Sequence, residues 1–125
     1  MHQNELNLIE EIMAIKEIKK GHCVVLELSG KLMGGDETSE IKEHVKSLID
    51  VGVTKVVFDL RKVKWMNSTG IGALTGSLNL LNDVDGKLAL ANITDKIESL
   101  FVITQLSKIF SAFNSVDEAV TSLED

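Results

Sequence analysis

The chain has a single cysteine, no long apolar run and a deficit of basic residues, and each absence excludes a class of protein. Cys23 is alone, so no intramolecular disulfide can form. No segment approaches the roughly 18 consecutive apolar residues of a membrane-spanning helix, and the acidic first residues do not resemble a signal peptide. We therefore expect a cytoplasmic protein. Its 13 Lys and Arg against 19 Asp and Glu argue against direct binding to nucleic acid.

The rest of the composition is that of an ordinary globular domain. With 125 residues, 44% of them hydrophobic and 26% charged, residues 1–125 are expected to form one domain, with residues 1–11 as a short tail. The histidines and carboxylates do not cluster at metal-ligand spacing, so we expect no metal or cofactor. Asp83 and Asp85 echo a calcium loop, but the distal glutamate is missing, which favours a simple turn.

The apolar pattern predicts alternating strands and helices. Residues 8–20 fit either an amphipathic helix or a strand over 12–19. Further strands are predicted over 22–29, 55–60, 87–91 and 109–113, and helices over 36–51, 69–81, 95–103 and 116–123. This order predicts an α/β fold, in which about four helices pack against a mixed sheet of about five strands.

Capping and turn residues predict where these elements begin and end. Gly30 is expected to close the second strand, and Asp36 to cap the first helix, which Gly52 then terminates. Ser115 and Glu118 have the spacing of a capping box and predict the start of the last helix. Residues 61–67 are expected to form a short polar loop between the central strand and the second helix.

That loop leads to Ser68, at the positive end of the second helix, and three enzymatic interpretations of this serine do not fit. A serine-hydrolase elbow needs a glycine where Met66 stands, and no histidine is obviously available. Gly70 and Gly72 follow the strand too late for a dinucleotide-binding fingerprint. The Gly-Lys-Ser/Thr of a P-loop is absent. We therefore expect a protein that is not an enzyme.

Two interpretations of the segment remain. Ser68 could simply cap the helix, which is worth about 1 kcal/mol, while the glycines allow close packing. Alternatively, the small residues could leave one side of the helix open to a partner, which would explain glycines that each cost up to ~1 kcal/mol relative to alanine. The small residues concerned are Ser68, Thr69, Gly70, Gly72, Thr75 and Gly76.

The chain resembles the anti-sigma-factor antagonists of the STAS family. These proteins have a strand that ends in Asp-Leu, followed by an Asp-Ser-Ser/Thr-Gly-Ile/Leu-Gly segment. The resemblance extends in order over most of the chain. It is carried by Leu28-Ser29-Gly30-Lys31-Leu32, Asp59-Leu60, Asn67-Ser68-Thr69-Gly70-Ile71-Gly72, residues 87–91 and residues 101–110.

The resemblance implies a STAS fold and a regulatory function. The unmodified segment would dock onto an anti-sigma factor, which is also a serine kinase and would switch the antagonist off by phosphorylating Ser68. A serine phosphatase of the PP2C type would reset it. The implied partner-binding residues are Met33, Gly34, Asn67, Ser68, Thr69, Gly70, Gly72, Thr75 and Gly76. The alternative is a STAS binding or scaffold module that is not phosphorylated, with a nucleotide, transporter or stress-complex partner.

Two residues depart from the family pattern. Asn67 stands where an aspartate usually precedes the phosphoserine, and Met33 stands where many relatives have an acidic residue. If the carboxylate assists the kinase, phosphorylation should be slower here; if it only shapes the loop, Asn67 should serve. Nearby, Arg61, Lys62 and Lys64 are expected in a solvated loop, the alternative being a basic run that attracts an acidic partner or ATP phosphates. Trp65 is expected to pack beneath the loop, with contact to a partner as the alternative.

Overall fold

The computed structural model describes residues 13–124, apart from the side chains at positions 36 and 37. These residues form one five-stranded sheet and four α-helices. The strands are β1 (Ala14–Lys20), β2 (Cys23–Leu32), β3 (Lys55–Met66), β4 (Lys87–Ala91) and β5 (Ser111–Phe113). The helices are α1 (Gly35–Asp50), α2 (Ser68–Asn82), α3 (Asp95–Ile103) and α4 (Val116–Leu123), with a short 3₁₀ turn at Leu106–Lys108.

The sheet has the spatial order β1-β2-β3-β4-β5. The β1–β2 hairpin is antiparallel and turns at Gly21, whose φ is +62°, and the later neighbours pair in parallel. Parallel neighbours need crossover connections, and helices α1, α2 and α3 lie in these connections. The predicted α/β architecture, a mixed sheet of five strands with four helices, is therefore confirmed.

Helices cover both faces of the sheet. Along β3, Val56, Phe58 and Leu60 join the large core that contains the buried residues of α1, α2 and α3. Val57 points to the other face and packs in a smaller cluster with α4. This two-sided burial explains why Val56, Val57 and Phe58 are consecutive apolar residues, without the polar alternation of a half-exposed strand.

Two strands are longer than the sequence predicts, and both differences have one cause. β2 continues through Gly30, whose φ of +87° bends the strand without ending it, and β3 continues to Met66. The predicted polar loop at 61–66 is therefore wrong. Ser29 pairs with Lys62 and Leu32 with Met66, and two irregularities in register insert extra residues into β3. Pairing with β2 thus maintains the strand through its exposed basic residues.

The first helix also begins differently from the prediction. Helix α1 starts at Gly35 and its N-cap position is Gly34, so the prediction of Asp36 as the cap is wrong. Thr38 bonds to the backbone of Gly34, which has no side chain with which to cap the helix. Its hydroxyl accepts a hydrogen bond from the Gly34 amide at 2.9 Å and donates one to the Gly34 carbonyl at 3.2 Å. The helix ends before Gly52, as predicted, with φ of +89° at that glycine.

Other boundaries agree with the sequence more closely. Ser115 Oγ accepts from the Glu118 amide at 3.1 Å and so caps α4, while the Glu118 carboxylate accepts from the Asn114 amide at 3.3 Å. Strand β5 is shorter than the predicted 109–113, because the Phe110 amide bonds back to the Leu106 carbonyl. Of residues 8–20, positions 14–20 form a strand. The helical alternative before Met13 and the predicted tail lie outside the described residues.

Candidate functional site

The candidate site lies where the ends of β2 and β3 meet the start of α2, and Asn67 holds it together. The Asn67 side chain accepts a hydrogen bond from the Gly70 amide at 3.0 Å and donates one to the Met33 carbonyl at 2.7 Å. Its backbone amide donates to the Leu32 carbonyl at 3.2 Å. Asn67 is therefore the N-cap of α2, and the interpretation of Ser68 as the cap is wrong.

Ser68 is the first residue of α2 and is exposed, as is Thr69. The Ser68 hydroxyl makes no hydrogen bond to any residue between Met13 and Glu124. The first turn of α2 contains no acidic residue, so no carboxylate in that turn offsets the positive end of the helix dipole. An unbonded, exposed hydroxyl therefore lies at a position that favours added negative charge.

The three glycines of α2 have three different surroundings. A Cβ on Gly70 would lie 2.1 Å from the Leu32 carbonyl oxygen, so close packing on β2 requires this glycine. A Cβ on Gly76 would lie 2.9 Å from Cε of Lys42 on α1. A Cβ on Gly72 would meet no atom within 4 Å. Contacts within the chain therefore account for Gly70 and Gly76, whereas approach of a partner remains an explanation for Gly72.

The loop before α1 lies beside Ser68. Gly34 has φ of +101°, and a Cβ there would lie 3.2 Å from Cγ2 of Thr69. Met33 beside it is 48% exposed. The structure thus brings Met33, Gly34, Asn67, Ser68 and Thr69 together, which agrees with the juxtaposition that the resemblance implies.

The remaining predicted residues continue along α2. Gly72 is exposed, and Thr75 and Gly76 are half-buried. The Thr75 hydroxyl lies within hydrogen-bonding distance of two carbonyl oxygens of its own helix, those of Ile71 at 3.2 Å and Gly72 at 3.1 Å. We define the docking surface as Met33, Gly34, Ser68, Thr69, Gly72, Thr75 and Gly76; its role in binding stays a prediction.

Lys42 is the residue at this surface that the sequence does not reveal. Its side chain crosses from α1 to Gly76 on α2. This contact depends on the packing of α1 against α2, which brings together two residues that are far apart in the sequence. A lysine on an amphipathic helix is by default an ordinary exposed residue.

The basic run beside the site belongs to strand β3. Lys62 Nζ lies 2.8 Å from Glu27 Oε1, and this hydrogen bond holds the pKa of the Glu27 carboxyl below its usual range. Trp65 is half-buried against the core, but it lies in β3 itself and not beneath a loop as predicted, and Lys96 Nζ lies 5.2 Å from its ring centroid. Arg61, Lys62 and Lys64 are exposed, but they are strand residues, so the prediction of a solvated loop is wrong.

Residues 13–124 contain neither a metal-ligating cluster nor a membrane-spanning helix. No three histidine, cysteine or acidic side chains in that range are arranged to hold a metal ion. No helix in the same range has the length and apolar character needed to cross a bilayer.

A five-stranded mixed sheet with an exposed serine at the start of its second helix is the arrangement that the resemblance implies. The model of the STAS domain matches residues 14–119, and the chain belongs to this family. The anti-sigma-B factor antagonist of Staphylococcus aureus is 33% identical over 70 residues, which are 56% of this chain and 65% of that protein. The chain therefore spans less than two thirds of the length of that relative.

Solved structures show the same fold. An anti-sigma factor antagonist from Mycobacterium paratuberculosis superposes with a TM-score of 0.76 at 18% identity, over 90% of this chain and 95% of that one. SpoIIAA of Bacillus in its phosphorylated form has a TM-score of 0.69 at 21% identity, over 89% of this chain and 100% of that one. At these identities the likeness establishes the fold alone.

Proposed function

We propose that the chain is an anti-sigma-factor antagonist that binds its anti-sigma factor through the docking surface and is switched off by phosphorylation of Ser68. The observation that carries the proposal is the exposed, unbonded hydroxyl of Ser68 at the positive end of α2. The name of the S. aureus relative supports the class of function, and the phosphorylated form of SpoIIAA supports the kind of switch. The protein acts by binding and is not itself an enzyme.

The unmodified docking surface suits close contact with another protein. All of its residues are uncharged, so burying it leaves no unpaired charge. The missing side chain at Gly72 lets a partner approach the backbone of α2, and the exposed Met33 adds an apolar contact beside Ser68. Methionine is adaptable at such contacts, because its side chain is unbranched and polarisable.

Phosphorylation would oppose binding without unfolding the helix. A phosphate adds a charge of about −1.5 to −2 to the docking surface. Burying this charge is costly, because the partner's surface packs against an uncharged docking surface before phosphorylation. The start of α2 stabilises the same charge through its dipole. Because Asn67 rather than Ser68 caps the helix, the modification leaves the capping hydrogen bond intact. A phosphatase of the PP2C type then restores binding.

Asn67 fits this proposal in place of the usual aspartate. Its amide nitrogen donates to the Met33 carbonyl, a bond that an ionised carboxylate cannot make. We therefore assign residue 67 a structural role in holding the loop of Met33 against α2. On this assignment, the kinase does not need a carboxylate next to the serine.

The test measures phosphorylation and binding with purified anti-sigma factors of the source organism. Incubation with ATP should add one phosphate to the wild-type chain, detected by mass spectrometry, and none to Ser68→Ala. In calorimetry, Ser68→Ala should bind like the wild type, whereas Ser68→Asp should bind at least about tenfold more weakly.

Ser107→Asp is the matched control, since it adds the same charge at an exposed serine on the 3₁₀ turn. It should leave the affinity unchanged. Failure of the wild type to bind any of the anti-sigma factors would contradict the proposed function. Binding that is unaffected by Ser68→Asp would instead favour a STAS module that is not switched by phosphate.

A further inference from the structure

The side chain of Lys42 lies flat across helix α2 at Gly76. A Cβ on Gly76 would lie 2.9 Å from Cε, 3.0 Å from Cδ and 3.2 Å from Nζ of Lys42. Lys42 is accordingly half-buried, while Glu43 and Lys46 on the same helix are exposed. Its methylene groups cover the helix and its ammonium group ends beside the docking surface, one turn from Gly72.

Among the residues that the structure describes, Lys42 has no ion pair, unlike His44 and Lys46 on the same helix. His44 Nε2 lies 2.7 Å from Glu17 Oε1, and Lys46 Nζ lies 3.4 Å from Glu43 Oε1. Across residues 13–124, leaving aside the side chains at positions 36 and 37, no carboxylate pairs with the Lys42 ammonium. A cation is thus held at the edge of a surface whose other residues are uncharged.

Gly76 accommodates this lysine at a cost to the helix. Glycine inside a helix is less stable than alanine, because it loses more backbone freedom on folding. The three atoms that a methyl group at position 76 would meet first all belong to the Lys42 side chain. Since the end of a lysine side chain could turn toward solvent, an alanine would fit if Lys42 moved. The glycine therefore serves the position of the lysine rather than the folding of the helix.

From this arrangement we infer that Lys42 is a specificity-determining residue of the docking surface, which pairs with a carboxylate on the anti-sigma factor. The inference rests on the proposed function and adds a chemical feature of the partner. When the partner packs against α2 at Gly72, one of its aspartate or glutamate residues should face Gly76. Such a charge pair selects among partners and raises the rate of association.

Binding of the purified anti-sigma factor to five chains tests the inference: the wild type, three single variants and one double variant. Lys42→Met keeps the methylene groups over Gly76 and removes the charge. It should raise Kd about fivefold to tenfold at low salt, and the difference should shrink as salt screens the pair. Lys108→Met, the matched control, removes the same charge from the exposed 3₁₀ turn and should bind like the wild type.

The fourth chain, Gly76→Ala, separates the position of the charge from the stability of the helix. It should be at least as stable to urea as the wild type, yet bind about as weakly as Lys42→Met, since its methyl group displaces the lysine. Combined with Lys42→Met, it should cause no further loss of affinity.

The results distinguish the inference from the function on which it rests. If the wild type binds no anti-sigma factor, both are overturned. If the wild type binds and Lys42→Met binds equally well at every salt concentration, the inference alone is overturned. A loss of affinity from Gly76→Ala that persists in full in the Lys42→Met background would also overturn it, since the glycine would then act independently of the lysine.

Discussion

Asn67 and Met33, which are 34 positions apart in the sequence, are joined by a 2.7 Å hydrogen bond from the Asn67 amide nitrogen to the Met33 carbonyl oxygen. The other end of the same amide accepts from the Gly70 backbone at 3.0 Å. One side chain thus fixes both the start of α2 and the loop that lies beside Ser68. The side-chain amide supplies both the donor and the acceptor, whereas an ionised carboxylate supplies acceptors alone.

Replacing Asn67 should therefore destabilise the fold, and the size of the loss should depend on whether one or both of its side-chain hydrogen bonds are removed. Asn67→Asp keeps the acceptor but loses the donor, and places a carboxylate against the Met33 carbonyl. We expect a loss of about 1 kcal/mol, partly offset by the helix dipole. Asn67→Ala loses both bonds and should cost about 2 kcal/mol. Urea unfolding at neutral pH measures both values, with Asn79→Asp on the exposed side of α2 as control. An Asn67→Asp chain as stable as the wild type would contradict this account.

The glycines of α2 should respond to alanine in opposite directions. Gly70→Ala forces a methyl group onto the Leu32 carbonyl oxygen, which is backbone and cannot move away easily. We expect a loss of about 2–3 kcal/mol. Gly72→Ala meets no neighbouring atom and should stabilise the helix by up to about 1 kcal/mol. The midpoint of urea unfolding should fall for Gly70→Ala and rise for Gly72→Ala. Equal midpoints for the two variants would show that the packing at Gly70 is not tight.

The pair of Glu27 and Lys62 should make stability depend on pH. Lys62 lowers the pKa of Glu27 in the folded state, first through its hydrogen bond and then through its charge. The resulting stabilisation is fully present above the unfolded pKa of about 4.3 and is lost as the pH falls through the lower, folded value. Since Lys62 is 56% exposed, the contribution should stay below about 1 kcal/mol.

Lys62→Met isolates this contribution. Unfolding measured from about pH 7 to about pH 3 should show the variant less stable at neutral pH, with the difference vanishing in acid. The Lys108→Met chain should show no such convergence. A difference between Lys62→Met and the wild type that stays constant with pH would mean that the lysine acts by packing and not through Glu27.

Cys23 should be unreactive in the folded protein. Its side chain is 0% exposed, and its sulfur lies 4.0 Å from the Val120 carbonyl oxygen. Burial raises the pKa of the thiol, and the charge of Glu124 acts in the same direction. A thiol reagent at neutral pH should modify Cys23 only as the chain unfolds, whereas an added thiol in Ser107→Cys should react at once. Similar rates at the two positions would contradict the burial of Cys23.

Elements with local signals could be predicted from the sequence. The strand at 87–91 and the helix at 95–103 match the prediction, and Ser115 caps α4 as its spacing with Glu118 indicates. At the candidate site, the position of Ser68 at the start of a helix and its proximity to Met33 follow from the motif and the resemblance.

The differences arise where distant parts of the chain decide the structure. Residues 61–66 are polar enough to predict a loop, but pairing with β2 makes them a strand. The sequence leaves open whether Gly70 and Gly76 allow close packing or an open helix surface, and the neighbours that decide for packing are Leu32 and Lys42. These neighbours come from other elements, so no window of sequence around α2 contains them.

The order of the strands in space is also the order of their synthesis. Each strand from β2 to β5 can join a neighbour that has already left the ribosome, so the sheet can grow in one direction as translation proceeds. The face covered by α4 is the exception. Until residues 116–123 emerge, Cys23, Val25 and Val57 have no helix over them, and the nascent sheet presents an apolar face. A ribosome that pauses before α4 would therefore hold a form of this protein with an uncovered apolar face, and such faces favour aggregation.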